Sequence, residues 1–301
     1  MAPETAAPPG TPMPAVSVIV PVYRQWDLLP RLLADLAAQE GAPGFDVPAF
    51  EVITVDNEPE AGEKPVEAPP GLALRILACA APGSYAARNL GAGAARGDLL
   101  VFTDADCRPP PGWLAALAAG AAAHPGALLA GPVAVTAGPD PNPCEIYDMI
   151  RGIPQARYVA RGYAATANLA APRAVFEASG GFDPRRFSGG DADFCRRAGA
   201  MGHPLRLVPG AVTHHPARAD WVELAEKARR IKGGQIAAGP RRRRLAWALR
   251  TLCPPVRDTR AYLAAEAPWR RRRTAVALRL RLWGVEVAEM LRLLAGGAPG
   301  R

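Results

Sequence analysis

The chain has 301 residues, enough to bury a full hydrophobic core as one large domain or two smaller ones. With 49% hydrophobic and 21% charged residues it is typical of globular proteins, which excludes a disordered chain. The net charge of +8 is uneven, because residues 227–281 contain seventeen Lys and Arg against two acids, a balance of +15 that leaves −7 for the remainder. A basic segment of this kind invites an anionic partner, either lipid headgroups or nucleic acid.

The N-terminus and the cysteines indicate the cellular compartment. Residues 1–14 are rich in Ala and Pro, without a basic start or an apolar segment, so we expect a disordered tail rather than a signal peptide. The five cysteines are scattered and include no Cys-x-x-Cys pair, which favours reduced thiols over disulfides or a zinc site. The sequence has no run of about 18 or more apolar residues, so no transmembrane helix is predicted. We therefore expect a cytoplasmic protein.

Strands and helices alternate over the first third of the chain. An apolar run at 15–20 predicts the first strand, and leucines at helical spacing over 28–36 predict a helix capped by Asp27. Further strands are predicted at 50–55, 72–77 and 99–102. Small residues over 83–97 predict a helix packed closely on the sheet, with Gly97 at its C-terminal cap. This alternation is typical of a parallel sheet with crossover helices.

The second half of the body has shorter predicted elements. Strands are predicted for three apolar runs, at 128–135, 205–208 and 211–213. Prolines interrupt residues 139–163, which predicts a loop with a short helix on the substrate side. Helices are predicted at 172–179 and from 188 onward, the second with carboxylates in its first turn.

Two aspartates directly follow the strand predicted at 99–102. Asp104 and Asp106 would project beyond its carboxyl end, where open α/β sheets bind their ligands. Two like charges at this spacing repel unless a cation lies between them, and hard divalent ions prefer oxygen ligands. We therefore expect a metal site that holds a diphosphate, although a polar turn is the commoner explanation of an isolated Asp-x-Asp.

Several motifs follow one another in a set order over about two thirds of the chain. They are Val16 to Tyr23, Val52 to Asn57, Ala87-Arg88-Asn89 with Gly91, Thr103 to Asp106, Gly180 to Asp183, Gly190 to Asp193, and a late histidine. With them the chain resembles a family-2 glycosyltransferase of the GT-A fold. The resemblance implies an α/β catalytic domain over 15–218, with a mostly parallel central sheet flanked by helices. Residues 219–301 would form a basic amphipathic helical extension.

The resemblance also implies which residues bind the nucleotide-sugar. Asp56 resembles the aspartate that reads the base, since a carboxylate accepts from a uracil N–H. Arg88 resembles a residue near the nucleotide, where a guanidinium engages phosphate as a fork. Pro21 and Tyr23 would line the nucleotide pocket, and Asp104 would lie near the ribose. The alternatives are a strand-capping turn for Asp56, a solvated helix charge for Arg88, and packing for Pro21 and Tyr23.

A metal site is implied for Asp106 together with a histidine. Asp106 resembles the direct ligand of Mg²⁺ or Mn²⁺, and a histidine after the last core strand would complete the site. Two histidines are adjacent here, and strand alternation would point them in opposite directions. His215 fits the spacing of the family better than His214. The ion would neutralise charge on the departing diphosphate.

Asp191 resembles the catalytic base of inverting members of the family. It would take the proton of an acceptor hydroxyl as that oxygen attacks the anomeric carbon. The family often has a glutamate before this aspartate, whereas this chain has Gly190. Asp193 could substitute for that glutamate, but its position two residues away favours a charge at the helix start.

The basic extension ends in a predicted amphipathic helix. Seven apolar residues from 276 onward recur at spacings of three and four, namely Val276, Leu280, Trp283, Val287, Met290, Leu291 and Leu294. A basic amphipathic helix with a tryptophan near its middle is typical of an interfacial membrane anchor. Packing of this helix on the catalytic domain, or on a second subunit, is the alternative.

The resulting hypothesis is an inverting, metal-dependent glycosyltransferase at the inner face of the plasma membrane. It would transfer a sugar from a nucleotide-diphospho-sugar, by resemblance a UDP-sugar, to a carbohydrate or lipid-linked acceptor in cell-surface polysaccharide or glycolipid synthesis. A nucleic-acid-binding protein is one alternative, but few aromatic residues interleave the arginines, so no specific nucleic acid is expected. A nucleotidyltransferase is another, but Pro21-Val22-Tyr23 offers little of the required Gly-rich phosphate loop.

Overall fold

A central β-sheet with helices on both faces forms the body of the protein, which a computed structural model describes at residues 15–42, 44–62, 64, 66–186, 188–237 and 240–298. The tail predicted over residues 1–14 lies outside these ranges. The strands are β1 Val16–Val22, β2 Phe50–Asp56, β3 Leu74–Ala78, β4 Leu99–Phe102, β5 Leu128–Ala130, β6 Val133–Thr136, β7 Leu169–Pro172, β8 Leu205–Leu207 and β9 Thr213–Pro216. The helices are α1 Leu29–Ala37, α2 Ser84–Ala94, α3 Trp113–Ala123, α4 Pro143–Arg151, α5 Gln155–Val159, α6 Arg173–Ala178, α7 Gly190–Ala200, α8 Trp221–Ala237, α9 Arg241–Leu252, α10 Val256–Leu263 and α11 Trp269–Leu294.

Seven strands form the central sheet in the order β3-β2-β1-β4-β7-β5-β8. All neighbours are parallel except β7, which runs antiparallel to β4 and β5. The predicted, mostly parallel sheet flanked by helices is thus confirmed. Strands β6 and β9 form a separate parallel pair. Since β1, β2 and β4 are parallel neighbours, the residues that follow them meet at one edge of the sheet.

The apolar patterns place one helix on each face of this sheet. Leu29, Leu32, Leu33 and Leu36 of α1 are fully buried against the valines of β1. On the other face α2 packs closely, because a Cβ at Gly91 would lie only 2.7 Å from Ile19 Cγ2. The predicted cap by Asp27 is wrong, since the N-cap position is Leu28 and no side-chain hydrogen bond caps the helix.

Two other predicted element boundaries are also wrong. The strand predicted at 128–135 is two strands, which Gly131 and Pro132 separate. A side chain would not fit at Gly131, where a Cβ would lie 2.0 Å from the Ala211 carbonyl oxygen. Gly97 does not cap α2, whose C-cap is Ala95. Gly97 instead lies against β1, where a Cβ would be 2.5 Å from the Val16 carbonyl carbon.

The segment predicted as a loop with a short helix at 139–163 contains two helices, α4 and α5. Asn142 caps α4 in a capping box, accepting from the Cys144 and Glu145 N–H groups while the Glu145 carboxylate accepts from the Asn142 N–H. A capping box satisfies helix-end donors on both sides, which stabilises even a short helix. Helix α4 then becomes the surface on which the C-terminal helices pack.

The C-terminal helices α8 to α11 pack on the body rather than standing apart from it. Tyr147 of α4 lies in one buried cluster with Leu224 of α8, Tyr262 of α10 and Leu282 of α11. On the predicted stripe of α11, Met290 is buried, but Leu291 is 56% exposed. This matches the predicted alternative of packing on the catalytic domain. Among the described residues, no helix is long and apolar enough to cross a membrane.

Candidate active site

Five of the predicted site residues lie at the edge of the sheet where β1, β2 and β4 end, namely Pro21, Tyr23, Asp56, Asp104 and Asp106. Pro21 is buried in β1 opposite Val55 of β2, beyond the ladder with β4, which stops at Ile19. Its missing N–H therefore leaves no partner on β4 unsatisfied. Tyr23 follows directly and is 51% exposed, as expected of a ring that is available to a ligand.

Asp56 ends β2 and is 8% exposed. Its carboxylate accepts from Lys64 Nζ at 2.8 and 3.0 Å and from the Glu58 N–H at 2.9 Å. Lys64 also lies over the Trp26 ring, 5.3 Å from its centre. A ligand that donates to Asp56 therefore competes with Lys64 for the same carboxylate oxygens.

Arg88 and Asp104 form an ion pair inside the site. Arg88, on α2, is 4% exposed and donates from Nη2 to Asp104 Oδ1. The Arg88 Nε–H is buried and has no hydrogen-bond partner among the described residues. A buried guanidinium with an unused donor is suited to accept a further anionic ligand.

Asp104, Asp106 and His215 converge in one cluster, with one potential ligand atom from each lying within 4.8 Å of the others. Asp106 Oδ2 lies 3.4 Å from His215 Nε2 and accepts from Gln25 Nε2 at 3.4 Å. Asp106 Oδ1 is buried and has no hydrogen-bond partner among the described residues. Burial, with the nearby Asp104 charge, raises the pKa of Asp106 above its ordinary value.

The backbone of β9 places His215, rather than His214, beside Asp106. The N–H and carbonyl of His214 bond to Arg108, which fixes the strand, and the alternation leaves His215 buried and His214 partly exposed. His215 Nδ1 lies 2.7 Å from the Pro216 carbonyl oxygen, which can only accept. The proton therefore sits on Nδ1, and Nε2 faces Asp106 with its lone pair when the ring is neutral.

These three residues fit a divalent cation. Two carboxylates and an imidazole whose other nitrogen is held by a carbonyl suit Mn²⁺, and the two carboxylates are also the oxygen ligands that Mg²⁺ prefers. The unpartnered Asp106 Oδ1 supports this, because a buried carboxylate oxygen without a donor is costly unless a cation satisfies it.

Asp191 lies in the first turn of α7, which begins after Gly189 in the left-handed conformation, at φ +75°. Its Oδ1 accepts from the Ala192 N–H at 2.8 Å and lies 3.4 Å from the Tyr85 hydroxyl. Burial raises the pKa of Asp191, while Ala192, Arg88 and Tyr85 offset part of the increase. A carboxylate with a raised pKa is suited to general-base catalysis.

The glycine at position 190 has a steric cause. A Cβ at Gly190 would lie 2.7 Å from the Tyr85 ring, so the ring occupies the space that a side chain would need. Asp193 points elsewhere, since its carboxylate pairs with Arg186 Nη2 at 2.6 Å and Arg197 Nε at 2.9 Å. Asp191 is therefore the carboxylate that α7 offers to the site.

Sequence reasoning missed several residues that the fold brings to the site. Tyr85 lies one turn before Arg88 on α2, a spacing that could have suggested it. Gln25, Lys64 and Arg218 come from loops with no pattern to mark them. Arg218 follows β9, and its charge lowers the pKa of Asp106.

Comparisons with known proteins agree with this geometry. Residues 17–182 match Glycosyl transferase family 2. The chain is 32% identical over 229 residues to glycosyltransferase AglE of Haloferax volcanii, covering 74% of each protein. It is also 32% identical over 166 residues to the pre-mycofactocin glycosyltransferase of Mycobacterium tuberculosis, covering 52% of this chain and only 34% of that protein.

Solved structures share the fold. Mannosyltransferase PcManGT from Pyrobaculum calidifontis, solved with GDP-Man and Mn²⁺, superposes with a TM-score of 0.52 at 19% identity, covering 98% of this chain and 79% of that one. TarS residues 1–349 from S. aureus superposes with a TM-score of 0.50 at 15% identity, covering 93% and 72%. These likenesses show a shared GT-A fold. With the family match and the AglE relationship, they establish that the chain belongs to glycosyltransferase family 2.

Proposed function

We propose that this glycosyltransferase is inverting and metal-dependent, and that it uses a nucleotide-diphospho-sugar. The observation that supports this best is the convergence of Asp104, Asp106 and His215 at the carboxyl edge of the sheet. Asp191 stands nearby, since the Arg88 side chain bonds Asp104 and its charge also acts on Asp191. A cation-binding group and a candidate base thus face one crevice.

In this proposal Asp191 performs the proton transfer. Its carboxylate takes the proton of the acceptor hydroxyl while that oxygen forms a bond to the anomeric carbon. The bond from the anomeric carbon to the diphosphate breaks on the opposite side, so the configuration inverts and a nucleoside diphosphate leaves. General-base assistance contributes roughly 10²–10⁴-fold to such steps.

Asp104, Asp106 and His215 would hold Mg²⁺ or Mn²⁺, which when bound stabilises negative charge on the leaving diphosphate. Arg88 orients Asp104 and offers its unused Nε–H to the same region. Asp56, Pro21 and Tyr23 form the nucleotide end of the site, with Asp56 accepting from the base after Lys64 moves aside.

The donor is proposed to be a UDP-sugar, and GDP-mannose is the comparison because PcManGT was solved with it. The acceptor is proposed to be a carbohydrate or lipid-linked hydroxyl in cell-surface polysaccharide or glycolipid synthesis. A thermal-shift screen of nucleotide sugars with and without Mn²⁺ tests the donor, since a ligand of the native state raises the melting temperature. A stabilising donor is then incubated with glycan acceptors, and NMR of the product reports the anomeric configuration. Retention of configuration would contradict the inverting proposal.

We also propose that the C-terminal helices associate with an anionic membrane surface, through α9 rather than the predicted stripe of α11. Leu245, Leu249 and Leu252 lie on one face of α9 and are 60%, 57% and 52% exposed. Arg241 and Arg242 flank them, and α9 contains no acidic residue. An exposed apolar stripe edged by arginines complements the anionic inner leaflet, where each basic residue contributes about 1 kcal/mol.

Cosedimentation with vesicles tests this surface. The wild type should bind vesicles of phosphatidylglycerol and phosphatidylcholine but not phosphatidylcholine alone, and Leu249→Glu should abolish binding. Met201→Glu is a matched control, because Met201 is 49% exposed on the catalytic body. Equal binding by the wild type and Leu249→Glu would overturn the proposal.

A further inference from the structure

Three cationic side chains surround one buried carboxylate where α4 meets α8. Asp148 of α4 is 2% exposed. Arg218, which lies between β9 and α8, donates to Asp148 Oδ2 from its backbone N–H at 3.2 Å and from Nη1 at 3.1 Å. Arg151 Nη1 lies 3.9 Å from Asp148 Oδ1. Lys227 is next to Ala228 on α8, and Ala228 packs in one buried cluster with Tyr147, the residue before Asp148. Lys227 also interacts electrostatically with Asp148.

Lys227 differs from the two arginines in its contacts. Its ammonium is partly buried and forms no hydrogen bond or ion pair with any residue that the structure describes. Burial, together with Arg151, Arg218 and Arg230, holds the pKa of Lys227 well below its ordinary value, and Asp148 offsets only part of this. An added anion would therefore favour the charged ammonium.

The cluster lies beside the strand that carries His215. Arg218 is three residues after His215, whose Nε2 faces Asp106. Arg151 is two residues before Ile153, which bridges Val133 of β6, the strand paired with β9. An anion held by the cluster would thus lie beside the region where transfer is proposed.

We propose that Arg151, Arg218 and Lys227 form a subsite for a phosphoryl group, either a phosphate ester or a diphosphate. A guanidinium binds phosphate as a fork and an ammonium binds it as a point charge, so the two residue types complement each other here. Asp148 anchors the two arginines and cancels one of the three charges. Once Lys227 has taken up a proton on anion binding, the remaining charge of about +2 matches a phosphoryl group of about −2. This inference rests on the proposed function, because its ligand is either the donor's leaving diphosphate or the phosphate of a lipid-linked acceptor.

Calorimetric titration of the full chain with pyrophosphate in EDTA tests the subsite apart from any metal site. The wild type should bind, and Lys227→Gln should weaken binding roughly 10-fold or more, since a hydrogen bond between charged groups is stronger than one between neutral groups. Lys227 makes no hydrogen bond with any described residue, so its loss should leave the fold intact. Arg229→Gln, an exposed arginine on the same helix, is the control and should bind as the wild type does.

Two ligand arms identify the source of the phosphoryl group. If the donor supplies it, Lys227→Gln weakens UDP binding; if the acceptor supplies it, the variant weakens binding of a short prenyl phosphate. Wild-type binding should also take up protons from the buffer, and Lys227→Gln should not. Unchanged affinity for all three ligands in Lys227→Gln and Arg151→Gln would overturn the subsite.

The subsite and the proposed function fail separately. If sugar transfer depends on Asp191 but the affinity for phosphoryl ligands does not depend on Lys227, the subsite alone is overturned. Lys227-dependent binding of phosphoryl groups, without transfer from any nucleotide sugar, overturns the proposed function alone.

Discussion

The Tyr85 hydroxyl lies 3.4 Å from Asp191 Oδ1, and the ring of Tyr85 also fills the space beside Gly190. One side chain of α2 thus lies against both Asp191 and Gly190 of α7, and it is one of several groups that act on the pKa of Asp191. Burial raises the pKa of Asp191 and the Tyr85 hydrogen bond lowers it. The two effects have different consequences for the pH dependence of transfer.

Tyr85→Phe is expected to move the acid limb of kcat to higher pH. A base works only when deprotonated, so transfer falls as the pH drops through the pKa of Asp191. Removing a hydrogen bond that lowers this pKa raises it further, and the rate is then lost at a higher pH. A pH profile of kcat measures the shift. Tyr163→Phe, whose ring stacks on Tyr158 with 4.8 Å between centres, is the control. A limb that stays in place, or moves to lower pH, would contradict the Asp191 assignment.

Asp191→Asn is expected to lower kcat roughly 10²–10⁴-fold. Donor affinity should be unchanged, because the amide keeps the shape of the side chain but cannot accept the proton. Steady-state kinetics with titration of the donor separates the two effects. Near-normal turnover by the variant would show that another group is the base.

The two adjacent histidines allow a direct test of the metal cluster. His215→Gln and Asp106→Asn should each weaken Mn²⁺ binding by more than about 100-fold, beyond the 10–100-fold that loss of an outer-shell partner costs. His214→Gln should bind Mn²⁺ as the wild type does, since it points away from Asp106. Electron paramagnetic resonance of free Mn²⁺ measures this binding. Asp98→Asn is the second control, because Asp98 is a fully exposed carboxylate just before β4, the strand that Asp106 follows. Equal binding by all four variants would rule out this site.

The sequence predicts a site residue well when a strand or helix positions it, and poorly when a loop does. Asp104 and Asp106 follow a strand that its apolar run reveals, and strand alternation limits the choice between His214 and His215. Lys64 reaches Asp56 from a loop, where no period marks the position of a side chain. The break at 131 and 132 coincides with a Gly-Pro pair, a local interruption of the apolar run that the prediction of one strand overlooked.

The C-terminal helices show the same limit at a larger scale. Spacing predicts that α11 is amphipathic, but it does not say what covers the apolar face. In the structure α4 covers part of the apolar face of α11. Helix α4 lies in a segment whose prolines indicate a loop, and the capping box at Asn142 stabilises it as a helix. The leucines of α9 are exposed because α11 packs on another face of α9. There Met290 and Leu293 of α11 share a cluster with Trp247 and Ala248.

Lys64 is expected to oppose nucleotide binding. Asp56→Asn should weaken donor affinity by roughly 10- to 100-fold, because a hydrogen bond to a charged acceptor contributes about 1.5–3 kcal/mol. Lys64→Met should instead tighten donor affinity, since the base no longer displaces an ammonium from Asp56. Titration of the donor measures both changes. Weaker binding by Lys64→Met, with an unchanged melting temperature, would show that Lys64 contacts the donor itself.

Gly190→Ala should destabilise the protein, because the new Cβ would lie 2.7 Å from the Tyr85 ring. Overpacking of a filled site costs about 1–3 kcal/mol, and a displaced Tyr85 would also disturb Asp191. Gly199→Ala is the matched control on α7, since nothing lies within 4 Å of its Cβ. Replacing that glycine should stabilise the helix by about 0.5 kcal/mol. Urea unfolding of both variants measures the difference. If Gly190→Ala were as stable as Gly199→Ala and fully active, the Tyr85 ring would not be what excludes a side chain at position 190.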